Sequence, residues 1–293
     1  MQITKMMNVL KERNLLDNTI IIVTSDNGMP FPRIKGQEYE FSNHVPLAIL
    51  WKNGIQNPGR KINDYVSFID LAPTFLELAK VPSQEVRLQP VQGKSLVNMF
   101  NSKLTQNIES NRDYVLIGKE RHDVGRPNDE GYPIRGIIKD QFIYLINFMP
   151  DRWPAGNPET GYANVDGGAT KSFILNQNRK NIGDKYWLLN FGKRAPEELY
   201  NIAIDPYCMN NLASNVKFLA QKEKLKSQLL TELKQQKDPR ILGSDYFFDH
   251  YTSGENAGFY EKYLNGEKVK TSWLSPSDFE INPLIINYYK TKE

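Results

Sequence analysis

The sequence predicts an α/β fold, with helices around a sheet in its first part and a smaller antiparallel sheet packed on a helix in its second. Three observations predict it. Thr19-Ile20-Ile21-Ile22-Val23-Thr24-Ser25 and Pro46-Leu47-Ala48-Ile49-Leu50-Trp51 are apolar runs of strand length. Residues 135–138 and 142–147 flank Lys139-Asp140-Gln141 in the manner of a hairpin. A helical period then runs from about residue 215 to 236, with Val216, Leu219, Leu225, Leu229 and Leu233 on one face.

Taken in order, Ile3, Met6, Met7 and Leu10 form the stripe of an amphipathic helix. No capping residue precedes this stripe, which fits either a natural helical start at Met1 or a chain that begins inside an element. Leu15-Leu16-Asp17-Asn18 closes the helix. The β-branched run at 19–25 predicts a strand buried on both faces of a parallel sheet, ending at Asp26-Asn27-Gly28. A proline-rich loop leads to Gly36, and a second buried strand is expected at 46–51. Asn57-Pro58-Gly59 is a turn. Asp70 is the expected cap of a helix with Pro73 in its first turn and Leu71, Phe75 and Leu78 facing inward.

Strands are expected at 114–118 and 198–203, on either side of the hairpin. Residues 150–185, rich in Gly, Asn and Pro, read as a long surface loop. Residues 240–293 are aromatic-rich and carry little periodicity. The expected boundaries are 1–110 for the first α/β part, 111–240 for the antiparallel sheet with its helix, and 241–293 for a C-terminal extension.

Composition narrows the chemistry. The chain has 293 residues, with 37 Lys+Arg against 34 Asp+Glu. A net charge of +3, spread along the whole length, gives no reason to expect a nucleic-acid partner. No apolar run approaches the roughly 20 residues of a membrane-spanning helix, and Gln2-Ile3-Thr4-Lys5 lacks an apolar signal core. Cys208 is the only cysteine, which excludes an internal disulfide and a Cys-rich zinc module. Its setting, Asp205-Pro206-Tyr207-Cys208-Met209, is that of a structural thiol.

Three constellations can carry chemistry. Ser25-Asp26-Asn27-Gly28 stands where a strand ends, the usual place for sites in open α/β sheets. Asp26 and Asn27 offer one charged and one neutral oxygen, which suits a hard cation such as Ca²⁺ better than zinc; the same residues also suit a plain turn. Lys35, on a tight loop close by, can stabilise an anionic group, or can be a solvated loop lysine. Arg121-His122-Asp123-Val124-Gly125-Arg126 combines an imidazole, a carboxylate and arginines. It suits a polyanionic, hydroxyl-rich ligand, or a polar loop with structural ion pairs. Trp153 could stack on a sugar or pack within its own loop. With only three histidines, a multi-His zinc site is not expected. A Gly-rich phosphate loop and a Gly-x-Ser-x-Gly elbow are both missing from the sequence.

Several of these pieces resemble one family in order and spacing. The stretch from Leu15 to Gly28 looks like the late metal-binding strand of type I sulfatases. Val66-Ser67-Phe68-Ile69-Asp70-Leu71-Ala72-Pro73-Thr74 is similar to that family's Val-Ser-x-x-Asp-Leu-x-Pro-Thr helix start. Glu198-Leu199-Tyr200-Asn201, Asp205-Pro206 and Asn211-Leu212 resemble its C-terminal signature. Asp26 to Pro32, His122-Asp123-Val124 and Tyr132-Pro133-Ile134-Arg135 are most similar to the members that act on N-sulfated glucosamine.

The resemblance implies part of an alkaline-phosphatase-like α/β fold with a smaller C-terminal sheet. It implies Ca²⁺ held partly by Asp26 and Asn27, Lys35 on the sulfate, and His122, Asp123 and Arg126 toward a sulfated glycan substrate. It also implies a periplasmic, extracellular or lysosomal setting for the complete protein. The family's Cys/Ser-x-Pro/Ala-x-Arg motif, which carries the formylglycine nucleophile, is not in this sequence. The chain is therefore expected to be the C-terminal portion of a sulfatase, inactive alone and poorly soluble without the N-terminal half or a second copy. The alternatives are a noncatalytic binder of sulfated glycans and a phosphatase or phosphodiesterase of the same superfamily.

Overall fold

A computed structural model describes residues 2–82, 87, 89–250 and 254–290; Met1 lies outside them. In chain order the elements are α1 (Gln2–Glu12), β1 (Ile21–Thr24), α2 (Glu40–Asn43), β2 (Leu47–Leu50), α3 (Leu71–Leu78), α4 (Val97–Asn101) and β3 (Tyr114–Lys119). Then follow β4 (Ile134–Lys139), β5 (Phe142–Asn147), α5 (Ala169–Lys180), α6 (Lys185–Phe191), β6 (Glu197–Asn201) and α7 (Leu219–Gln235). Three short helices close the sequence: α8 (Tyr246–Asp249), α9 (Phe259–Leu264) and α10 (Pro283–Ile286). The chain forms two units, one of Met1–Ser25 with Pro46–Val115 and one of Asp26–Val45 with Leu116–Glu293.

In the first unit β1 and β2 pair antiparallel, from Ile21 opposite Leu50 to Thr24 opposite Leu47. This corrects the expectation of buried parallel strands. Both strands are half-buried or exposed along their length, and a β-branched run reports strand propensity without reporting partner direction. The core of this unit is Leu96, Met99 and Phe100, with Ile49, Trp51, Leu71 and Leu78 packed against them. Phe75 is instead exposed.

Asp70 precedes α3 but does not cap it with its side chain. Its carboxylate accepts from the backbone N–H of Ser67 and Lys94 and pairs with Arg112 at 2.8 Å, nearly out of contact with solvent. A buried carboxylate goes where the most donors converge, and here a later loop brings a guanidinium.

In the second unit the strands lie in the order β3-β4-β5-β6. The predicted hairpin is present, with Ile137 opposite Tyr144, and β6 continues the sheet antiparallel to β5. The last strand ends at Asn201 rather than at 203, because Asn201 Oδ1 and its carbonyl turn the chain through Ala203 and Asp205. Helix α7 packs on β4 and β5 through buried Leu225, Leu229 and Leu233. Val216 and Leu219 are exposed, correcting their expected inward face. A 3-10 turn over Val216–Phe218 takes Val216 out of the α-helical register, and Leu219 begins the helix before it reaches the sheet.

The segment 150–185 also differs from expectation. Instead of a surface loop it holds α5 and much of an aromatic core: Trp153, Tyr162, Val165, Ile174 and Leu175 against Trp187 and Phe191. Ile285 and Tyr288 complete that core from the C-terminal segment. Here Gly and Asn serve tight turns between buried aromatic rings, so composition pointed to a loop while the rings decided burial. Trp153 is buried in this core and does not stand ready to stack on a sugar.

Candidate functional site

A pocket of about 230 Å³ opens within the second unit. Its wall includes Asp26, Asn27, Glu38, Lys119, Arg121 and His122. Two stretches build it: the loop from Asp26 to Val45, and the chain leaving β3.

Arg33 anchors the first stretch. It is buried, donates from Nη1 to the Leu189 carbonyl at 2.6 Å and from Nη2 to the Cys208 carbonyl, and lies 3.8 Å over the Tyr39 ring. Burial opposes its charge, but Tyr39, Tyr200 and Glu198 outweigh this and raise its pKa. With Arg33 pinned, Lys35 reaches Asp166 at 2.7 Å. Gly36 follows at φ +69°, where a Cβ would stand 2.5 Å from His122 Nδ1. Only glycine lets the loop backbone approach the imidazole so closely. The Lys119 ammonium donates to the Gly36 carbonyl from the other side.

Burial dominates the electrostatics of this wall. It lowers the Lys119 ammonium to about 7, with Glu38 opposing the shift and Arg126 and Arg194 adding to it. It raises the Glu38 carboxyl against the pull of Lys119. It lowers His122, helped by the nearby Lys119, and raises Asp123. Gln37 Nε2, Glu38 Oε2 and Arg121 Nη2 are buried on this wall without a hydrogen-bond partner. An unpaired buried polar atom costs about 1–3 kcal/mol, and such atoms gather where structure yields to function.

Asp26, Asn27 and His122 all line this pocket. Lys35 stands next to it through Gly36 and is held by Asp166. Asp123 lies behind the wall. Its N–H donates to Asn164 Oδ1 at 2.7 Å, and its own Oδ1 accepts from the Val124 N–H. Arg126 departs from expectation. It is fully buried and donates to the carbonyls of Trp153, Pro154 and Glu130. Its guanidinium organises the loop at 153–154 and does not line the pocket.

Asp26 and Asn27 both line the pocket, and Glu38, whose Oε2 has no hydrogen-bond partner, lies on the same wall. These suit a hard cation. Among the described residues no three His, Cys, Asp or Glu come together as a ligand set. The chain thus offers two of the roughly 6–8 oxygens that Ca²⁺ takes, and fits part of such a site. Sequence reading missed Glu38, Lys119, Asn164 and Asp166. For Glu38 the available signal was its place three residues after Lys35; for Asp166 only tertiary contact could show the pairing.

Comparison with known proteins bears on this geometry. Residues 1–81 match the family model described as Sulfatase. The chain is 25% identical over 242 residues to the N-sulphoglucosamine sulphohydrolase of Homo sapiens, covering 80% of this chain and 45% of that protein. It is 28% identical over 240 residues to an ulvan-active sulfatase of Formosa agariphila, covering 80% and 42% respectively. A protein solved in complex with its substrate D-glucosamine-2-N,6-O-disulfate shares the fold, with a TM-score of 0.56 at 21% identity, over 80% of this chain and 38% of that one. The chain spans less than half the length of these curated relatives. Its motifs, the family-model match over residues 1–81 and these relatives agree in their likeness to sulfatases.

Proposed function

We propose that this chain forms the C-terminal part of a sulfatase that hydrolyses sulfate groups on glycosaminoglycan-type sugars, with N-sulfoglucosamine as the favoured substrate. The observation that carries the reading is the convergence of Asp26, Asn27 and His122 on one pocket, with Lys35 beside it. The similarity to an N-sulphoglucosamine sulphohydrolase supports the choice of sugar.

In this reading Asp26 and Asn27 hold part of a Ca²⁺ ion, which when bound supplies positive charge to a sulfonyl oxygen. Lys35 donates to the sulfate and is kept in place by the Asp166 carboxylate. His122 faces the sugar, and Asp123 orients the backbone that carries it. Arg121 adds positive charge on the same wall, joined by Lys119 when it is protonated, and favours an anionic ligand. The nucleophile, a formylglycine by resemblance to the family, belongs to a part of the protein outside this sequence. The complete protein would then work in a periplasmic, extracellular or lysosomal setting. No described helix is long and apolar enough to cross a membrane.

Calorimetry of this chain with N-sulfoglucosamine and with glucosamine tests the reading. Binding of the sulfated sugar at least tenfold tighter than glucosamine is expected. Equal affinity for the two overturns it. No release of sulfate by the chain alone is expected, and turnover by the pure chain overturns the assignment of the nucleophile.

A further inference from the structure

Lys171 is the least expected charge in the molecule. It stands in the first turn of α5, where the helix dipole disfavours a cation, and its side chain is fully buried. Its ammonium donates to three carbonyls: Gly161 at 2.8 Å, Tyr162 at 3.2 Å and Val165 at 2.7 Å. Its counter-charge is Asp278, equally buried, at 3.3 Å. Asp278 comes from the C-terminal segment, where its carboxylate also accepts from the Ser275 N–H.

A second set of bonds joins the same two segments. Trp273 Nε1 donates to the Ala163 carbonyl at 2.8 Å, and the Gly167 N–H donates to the Trp273 carbonyl at 2.6 Å. Gly167 has no room for a side chain there, since a Cβ would stand 2.8 Å from Ser275 N.

These bonds bracket the two residues of the segment that reach the candidate site. Asp166, which holds Lys35, lies between Val165, gripped by Lys171, and Gly167, gripped by Trp273. Asn164, which accepts the Asp123 N–H, lies between Ala163, gripped by Trp273, and Val165. Neither Lys171 nor Trp273 belongs to the pocket wall.

We propose that Lys171 and Trp273 are positioning residues, and that the C-terminal segment around 273–278 is a built-in clamp that sets Asp166 and Asn164 against Lys35 and Asp123. Its consequence for sulfate binding rests on the function proposed above, while the clamp itself does not.

Amide hydrogen exchange on the whole chain tests it. Trp273→Phe keeps an aromatic ring and the backbone bond from Gly167 but removes the indole donor with its fused ring; Lys171→Met keeps an unbranched chain of nearly the same length and removes the charge. In either variant the Asp123 amide is expected to exchange at least tenfold faster, while the amides of Ile137 and Tyr144 in the β4–β5 ladder stay within twofold of wild type. An unchanged Asp123 amide, or an equal rise in the ladder, overturns the clamp and leaves a general stabilising role. If Lys171→Met does not fold, Trp273→Phe decides by the same criterion.

The dissociation constant for N-sulfoglucosamine, measured on the folded variant, is expected to rise at least fivefold. Unchanged affinity with faster Asp123 exchange overturns the link from the clamp to the sulfate pair. A wild-type chain that does not bind N-sulfoglucosamine defeats the proposed function, and the exchange rates still decide the clamp.

Discussion

The Lys35 ammonium stands 2.7 Å from a carboxylate oxygen of Asp166, 131 residues later in the chain. Both side chains are about one-quarter to one-third exposed. Such a pair contributes about 0–1 kcal/mol to stability, so its value lies in orientation. Lys35→Ala is expected to weaken N-sulfoglucosamine binding about tenfold, or ~1.4 kcal/mol. Asp166→Asn, which frees the lysine without removing it, is expected to weaken binding less. Calorimetry checks the affinities, and urea unfolding should show both variants within about 1 kcal/mol of wild type.

Calcium binding to this chain should be weak. If Asp26 and Asn27 are the ligands this chain supplies, as proposed, affinity in the millimolar range or weaker is expected. Titration followed by the amide resonances of residues 26 and 27 measures it. Asp26→Ala should abolish the response, and a tight, saturating response that survives this substitution would refute the ligand assignment.

The Asp70–Arg112 pair is a stability element of the first unit. Both side chains are almost fully buried, and Arg112 also donates to the carbonyls of Lys94 and Ser95. Removing one partner leaves a charge buried and unpaired. Arg112→Met is expected to cost about 3–5 kcal/mol, read from urea denaturation of the chain.

Acid should weaken the second unit through Glu197. Burial raises this carboxyl, but hydrogen bonds from Tyr144, Lys226 and Lys222 outweigh it and hold the pKa down at about 2. The unfolded carboxyl binds its proton near 4.5. The contribution is thus complete above that value and is lost as pH falls toward 2. After allowance for partial exposure it amounts to about 1–2 kcal/mol. Denaturation midpoints at pH 6, 4 and 2.5 should fall in that order, and Glu197→Gln should flatten the part of the slope it owns.

Cys208 should be inert. It is fully buried, and burial raises its thiol to about 12. A thiol reagent at pH 8 is expected to label it only after denaturant is added. Rapid labelling of the folded chain would contradict its structural role.

Local pattern determined much of this protein. The continuous apolar and β-branched runs marked the strands, the hairpin around Lys139-Asp140-Gln141 followed from its turn, and Leu225, Leu229 and Leu233 marked the buried face of α7. Asp26-Asn27 and His122 could be singled out because each stands in a short motif, while only the folded chain brings them to the wall of one pocket. What only tertiary structure decided depends on partners distant in sequence. The direction of the β1–β2 pairing is such a property, since a strand's residues do not encode which way its neighbour runs. The burial of Trp153 and Arg126 is another, because each is satisfied by groups that composition cannot place nearby. The pairing of Lys35 with Asp166, and the grip of Lys171 and Trp273 on the segment between them, arise from the same cause. A charge chooses its partner by proximity in the folded chain, and proximity across 131 residues is set by packing.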